Sequence, residues 1–350
     1  MAFFFSRDTK VFMSWSYDGS AAKTALYEIP VLDGFSFSQG TNTSEVTLSE
    51  AANSTGGSKR GRAMFTDSFA PAEWSFSTYM RPTVSGTGSA TTATDGVTNG
   101  QHGGNADKFA IEGPLWAAMS ANTYDRATGA SSADKSDYEP NVFNFANSNQ
   151  VTLGVFDLFF VLGASKDSEG NTYTTGTDGV TVYKLANCSV GSASIDFDIE
   201  GLAQIAWSGN GQSIEEVASL ETRATDSGNS ITGTTTLGIV NEGISSTSNY
   251  IRQKLTDLAI TFDHSASTGT LGALAVDGSN DVTYNVTLTG GNITIENNLT
   301  YLTPETLGSV NLPLGHVMGT RSVSGNFTCY LDDKANGSLA LFENLQESRG

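Results

Sequence analysis

The chain of 350 residues has little of what enzymes use: 3 His and 2 Cys. A Ser-His-Asp mechanism needs an imidazole beside a nucleophile. His102 lies in a glycine-rich loop, His264 after a strand and His316 in Pro-Leu-Gly-His-Val, and none adjoins a G-x-S-x-G elbow. Cys188 and Cys329 sit singly in strand-like segments, which favours buried free thiols over a disulfide or a metal site. Cations are scarce as well: 18 Lys plus Arg against 37 Asp plus Glu leave a formal charge of -19. Such a balance repels nucleic acid and offers no basic footprint for specific binding. No stretch approaches the roughly 18 apolar residues of a membrane span. The opening Met-Ala-Phe-Phe-Phe-Ser-Arg is too short in its apolar run, and charged on the wrong side, for a signal peptide. The sequence therefore predicts a protein made in a cytoplasm, with no membrane contact.

Three motifs come close to chemistry and stop short. Asp167-Ser-Glu169-Gly170-Asn171 has the flavour of a calcium loop, but its glycine comes two places early and the twelfth position, Asp178, does not complete the pattern. Gly209-Asn-Gly211 lacks the third glycine of a dinucleotide fold, and Gly57-Ser-Lys59 lacks P-loop spacing, so both read as loops. No catalytic residue, metal or cofactor is expected. A glycosidase using two of the many carboxylates is the enzyme reading that remains, behind two non-enzymatic ones.

What is present is strand material. Charged residues are only 16%, while 38% of the chain is apolar, with 19 Phe, 11 Tyr and 4 Trp, enough for a core. Glycine, serine, threonine and asparagine fill the polar positions. Strands are predicted at 11–17, 27–32, 35–37, 45–48, 73–79, 151–162, 180–184, 188–200, 202–207, 255–262, 282–288, 293–296 and 323–331. The run at 151–162 is apolar on both faces, as a covered central strand should be. Pro114 opens a short helix carrying Leu115, Trp116 and Met119. Ser213-Ile-Glu-Glu216 matches a capping box for a second, and Ser338 to Glu347 reads as a third. Residues 83–107, 120–141 and 264–280 are polar loops, the first two long enough to be insertions. The expectation is one elaborated domain over 1–350, mainly β, with short flanking helices and no repeat of fixed period.

Ser194 to Glu200 alternates strictly, with Ile195, Phe197 and Ile199 on one side and Asp196, Asp198 and Glu200 on the other. A strand of this kind presents carboxylates rather than consuming them. Lys59-Arg60-Gly61-Arg62 is the one basic cluster, readable as a solvated loop tip or as a contact between subunits in which Lys59, Arg60 and Arg62 meet carboxylates of a neighbour.

Four segments carry a family resemblance. They are Gly34-Phe-Ser-Phe-Ser-Gln-Gly-Thr-Asn-Thr-Ser-Glu-Val-Thr-Leu, Arg60-Gly-Arg62 with Pro71-Ala-Glu-Trp-Ser-Phe-Ser-Thr-Tyr, Ile195-Asp-Phe-Asp-Ile-Glu-Gly, and Gly319-Thr-Arg-Ser-Val-Ser-Gly-Asn-Phe-Thr-Cys-Tyr-Leu. Together they resemble the bacteriophage tail tube proteins, which share a plan with the type VI secretion tube. The resemblance implies a β-sandwich or partly closed barrel, hexameric rings with a continuous inner β-barrel, and stacking of rings into a DNA conduit. It implies a virion protein assembled in the host cytoplasm, whose partners are its own copies and possibly sheath, baseplate and tail terminator proteins, with viral DNA passing through unbound. Asp196, Asp198 and Glu200 would face the lumen. One departure is that the chain ends just after its last helix, where such proteins commonly continue with a closing strand. The alternative is a β-rich phage adhesin or capsid-decoration protein that binds a host glycan.

Overall fold

Alternating segments of this length build two sheets that share a strand. The structure is a computed structural model that describes residues 8–15, 25–47, 62–80, 82–84, 108–110, 112–120, 153, 155–163, 172–176, 179–221, 235–237, 253, 258–262, 282–303 and 311–347. In chain order the strands are β1 (Lys10–Trp15), β2 (Ala25–Ile29), β3 (Ser36–Thr47), β4 (Arg62–Tyr79), β5 (Pro82–Val84) and β6 (Lys108–Ala110), followed by helix α1 (Gly113–Ser120). Then come β7 (Phe156–Leu162), β8 (Thr172–Thr174), β9 (Thr181–Asp198), β10 (Gln204–Gly211), β11 (Ser213–Val217), β12 (Ser219–Glu221) and β13 (Thr235–Leu237). The last are β14 (Leu258–Phe262), β15 (Val282–Val286), β16 (Leu288–Glu296), β17 (Leu299–Leu302), β18 (Gly315–Met318) and β19 (Ser322–Cys329), before helix α2 (Ser338–Glu347).

The first half of β9 pairs with β7 and β11, in a sheet that runs on through β1 and β2 to a parallel β13. Its second half pairs with β10 and β16, giving the order β3-β4-β10-β9-β16-β19. This second sheet, here the broad sheet, is antiparallel throughout. Among the described strands neither sheet closes on itself, so the architecture is mainly β and open rather than a barrel.

The core lies between the two sheets and under α1. Trp74 and Phe76 of β4 stack at 5.1 Å, and Trp116 of α1 meets Trp207 of β10 edge-on at 4.7 Å. Full burial of such a ring stabilises by up to about 3 kcal/mol. Trp207 Nε1 donates to Thr78 Oγ1 at 3.0 Å, which satisfies the one polar atom it takes into the core. The end of α1 is fastened from far away. Asn297 Nδ2 and an Arg321 guanidinium nitrogen donate to the Met119 carbonyl at 3.1 and 3.0 Å, and Arg321 Nε donates to Asn297 Oδ1 at 2.7 Å. A cation at the negative end of a helix is favourable. Here it also ties the last hairpin to the first half of the chain.

Several expectations need correction. Ser213 to Glu216 is strand, not helix: Ile214 and Val217 sit opposite Leu185 and Val182 of β9, and Ile214 N donates to Gln39 Oε1 at 3.0 Å. Sheet partners override a local capping pattern. Gly209 to Gly211 is the end of β10 and not a loop. A Cβ at Gly209 would lie 2.1 Å from the Ser189 carbonyl oxygen and 2.6 Å from the Trp74 ring, so glycine is required there for close packing. Segments expected as separate strands, 35–37 with 45–48 and 180–184 with 188–200, are continuous as β3 and β9. The strand at Ser194 ends at Asp198, leaving Ile199 exposed rather than in the core and Glu200 beyond the strand. The helices at Pro114 and at Ser338–Glu347, and the covered strand near 151–162, stand as expected.

A likeness within the chain also emerges. Ser75-Phe-Ser-Thr-Tyr-Met80 at the end of β4 and Asn326-Phe-Thr-Cys-Tyr-Leu331 at the end of β19 share one polar and apolar frame, and each strand pairs antiparallel with one earlier in the chain, β3 and β16. The frame is packed differently. Phe76 is 3% exposed within the main core cluster, whereas Phe327 is 40% exposed beside Phe197.

Candidate functional site

The broad sheet has one face in the core and one in solvent, and the solvent face is chemically uniform. Pairing registers place its residues in rows across the strands. One row runs Tyr79, Gln204, Asp196, Asn292, Asn326. The next runs Ser77, Ala206, Ser194, Thr294, Ser324, and a third runs Ser36, Ser75, Ser208, Ser192, Glu296, Ser322. Glu73 and Asn210 follow on one side and Asp198 on the other. Among the described residues this face carries four carboxylates and no lysine or arginine.

The hydroxyls pair with one another across strands. Ser36 with Ser75, Ser192 with Ser208, and Ser194 with Thr294 approach to 2.8, 2.7 and 3.0 Å. Cross-strand hydroxyl pairs stabilise a sheet modestly. They also leave a surface that is wet, short in its side chains and partly satisfied within itself. Alternation explains why the sequence folds this way: each Ser on this face is followed by a residue such as Phe37, Phe76, Ala193 or Val323 on the other.

The edges of the sheet are as informative as its face. Among the described strands β3 pairs only with β4, and β19 only with β16. β19 holds no charge and no proline, and Glu45 is the one charged residue of β3. Free edges of solitary proteins are normally blunted by lysine, proline or a cover. Val323 and Phe327 on β19 are both exposed.

The expected site residues distribute as follows. Asp196 and Asp198 are exposed on the uniform face, while Glu200 lies past the strand end and is not part of a row. Arg62 opens β4, opposite Thr47, at the far end of the β3–β4 hairpin from Asp198. Lys59 and Arg60 lie outside the described residues, as do His102, His264, Asp167 to Gly170 and most of the loops at 83–107, 120–141 and 264–280. Sequence reasoning missed Glu73, Glu296 and the hydroxyl rows. The available signal was a Ser-apolar-Ser triplet, present at Ser36-Phe-Ser38, Ser75-Phe-Ser77, Ser192-Ala-Ser194 and Ser322-Val-Ser324.

One serine and one histidine do meet. Ser189 Oγ and His316 Nδ1 are 3.1 Å apart, but Ser189 is wholly buried. Burial holds the His316 pKa below its usual value. Tyr301 packs on the imidazole, and its hydroxyl donates to the Asn187 and Asn210 carbonyls at 3.1 and 3.0 Å, with burial raising its pKa well above the ordinary range. This cluster fastens the β17–β18 hairpin over β9 and β10, and a substrate has no path to the serine. No group of three or more potential metal ligands occurs among the described residues, and none of the described helices is long and apolar enough to cross a membrane.

No protein-family model matches the chain. The chain is 29% identical over 341 residues to the tail tube protein pb6 of Escherichia phage T5, which covers 97% of this chain and 60% of that protein. It thus spans about three-fifths of the length of the curated relative it matches. The resemblance carried by four motifs holds along nearly the entire sequence, and it is to a structural tail protein rather than an enzyme.

Proposed function

We propose that this protein is the subunit of a bacteriophage tail tube. Copies join edge to edge, β19 of one against β3 of the next, into rings of six, the number that the family resemblance carries. Rings stack into a hollow tube with the uniform face of the broad sheet turned inward, and viral DNA leaves the virion through it. The protein then resides in the virion tail after assembly in the host cytoplasm, with its own copies as principal partners and sheath, baseplate and tail terminator proteins as further ones. Asp196 and Asp198, with Glu73 and Glu296, form the lumenal carboxylates. Glu200 lies at the rim, and Lys59, Arg60 and Arg62 serve contacts between subunits.

One observation carries this reading: among the described residues, a sheet with two open, nearly uncharged edges has a free face of hydroxyls, amides and carboxylates but no cation. A DNA conduit has to touch phosphates without holding them. A cation on the wall would exchange for condensed counterions and make DNA stick, whereas carboxylates repel it within a Debye length of about 8–10 Å. The T5 relative, itself a tail tube protein, supports the same reading over almost the whole chain.

Electron microscopy of the purified protein tests it. Hollow filaments are the expected result, with end-on views giving the ring order directly. Monodisperse 36.7 kDa particles at every concentration, with no growth on a seeded template, would overturn the proposal.

A further inference from the structure

The two ends of the broad sheet are complementary. At one end the β3–β4 hairpin runs beyond its neighbours: β10 stops pairing at Ala72, while β3 and β4 stay paired out to Thr47 and Arg62. This arm is tied across by Asn42 Nδ2 donating to Ser68 Oγ at 2.9 Å and by a Ser44 to Asp67 hydrogen bond. It carries Met64 and Phe65, which are 62% and 58% exposed. At the other end, where β9 stops, β16 starts and β19 stops, there is a pocket of about 150 Å³. Its apolar wall is Phe197, Ile199, Leu288 and Tyr330, and Asp198 stands at its margin.

We infer that Phe65 of one copy seats in this pocket of a copy in the next ring, making the axial contact of the tube. This inference rests on the tail tube reading. Two observations support it. The pocket of about 150 Å³ has the volume that takes a benzene ring, and its apolar residues, set among Asp198, Gln253, Thr287, Thr289 and Gly290, give one phenyl group a seat. The geometry repeats without closing, because a knob at one end and a hole at the other form a head-to-tail contact that propagates as a filament.

The same placement fixes a length. Fourteen residues separate Phe65 from Tyr79, whose row holds Asp196, and Asp198 lies two residues further on. Sixteen residues of strand span about 53 Å at 3.3 Å per residue. Strands in a closed barrel tilt by about 35–45°, so the axial repeat is about 40 Å.

Phe65→Asp tests the contact. Phe65 is on the surface, so the fold should survive, which the circular dichroism and thermal transition of the variant verify. Rings that no longer stack are the expected result, with the concentration needed for tubes raised at least about 100-fold. Tubes at the wild-type concentration would overturn the inference, and so would loss of rings along with tubes, because the knob would then serve the lateral contact. Phe65→Cys with Ile199→Cys gives a second readout. Oxidised tubes should yield ladders of cross-linked chains that neither single variant gives, and no ladder overturns the inference. If the wild-type protein forms neither rings nor tubes, the tail tube reading itself fails, a result distinct from tubes that ignore Phe65.

Discussion

Replacing Asp196 and Glu296 together by lysine should turn the proposed conduit into a trap. Both side chains are exposed on the uniform face, in the first and third rows, and neither forms an ion pair among the described residues. Surface substitutions of this sort change stability by about 0.5 kcal/mol or less, so rings and tubes should still form. The electrostatics change much more. Each copy that engages two phosphates, one per lysine, releases counterions with a slope of about -0.9 per phosphate in log K against log salt. Between 50 and 200 mM salt, a fourfold change, that amounts to about twelvefold in affinity per engaged copy. Several copies contact one duplex, and their effects multiply. The assay is retention of short duplex DNA by washed tubes, with and without nuclease. DNA in the lumen is protected and DNA on the outside is digested. Glu216→Lys, at an exposed position on β11 outside the uniform face, serves as the control and should retain nothing protected. If the double variant holds no more DNA than wild type at 50 mM salt, or if all the DNA it holds is digested, the face does not line the bore.

Three further outcomes are expected. Val323→Lys places a charge on the open edge of β19, where the side chain is exposed, and should abolish rings while moving the thermal midpoint by a degree or two at most, as read by light scattering and calorimetry. Gly209→Ala forces a methyl group against the Ser189 carbonyl and the Trp74 ring, and should cost about 3 kcal/mol or more in a urea titration, whereas Gly34→Ala, in open space but at φ +99°, should cost less. His316 is neutral in the fold with its pKa pushed below 6.5, so its contribution to stability is complete above about pH 6.5 and is lost as pH falls toward the depressed folded value; the pH dependence of the urea midpoint below 6.5 should be shallower in His316→Gln.

The sequence made the alternation legible and hid what depends on pairing. Ile195-Asp196-Phe197-Asp198 reads correctly as a strand because period two needs no partner to be seen. Ile199 continues the pattern but falls where β16 begins at Leu288 and the ladder ends, so its face is decided by a strand some ninety residues away. The capping box at Ser213 is genuine as a local pattern and loses to β9. Gly209 looked like loop punctuation because glycine is usually that, whereas here its missing Cβ makes room for Trp74. The hydroxyl rows were written in four Ser-apolar-Ser triplets, but only the register of β3, β4, β9, β10, β16 and β19 shows that all four begin in one row. The Asn297 and Arg321 caps on α1 join residues 178 and 202 positions apart, beyond the reach of any local reading.

The open edges and the uniform face imply one another in the proposed ring. A sheet whose edges lack lysine and proline is a template for further strands, and closing it on copies of itself removes the hazard. Closure must turn one face inward. The face bearing Trp74, Phe76, Ile205 and Trp207 is occupied by α1 and the second sheet, so it has to lie outside, and only the hydroxyl-and-carboxylate face remains to line the bore. Lumenal chemistry therefore follows from packing on the opposite side of the same strands. A substitution that loosened the core, such as Gly209→Ala, would be felt in the curvature of the wall, while one confined to the free face, such as Asp196→Lys, would alter what the wall holds and leave its shape alone.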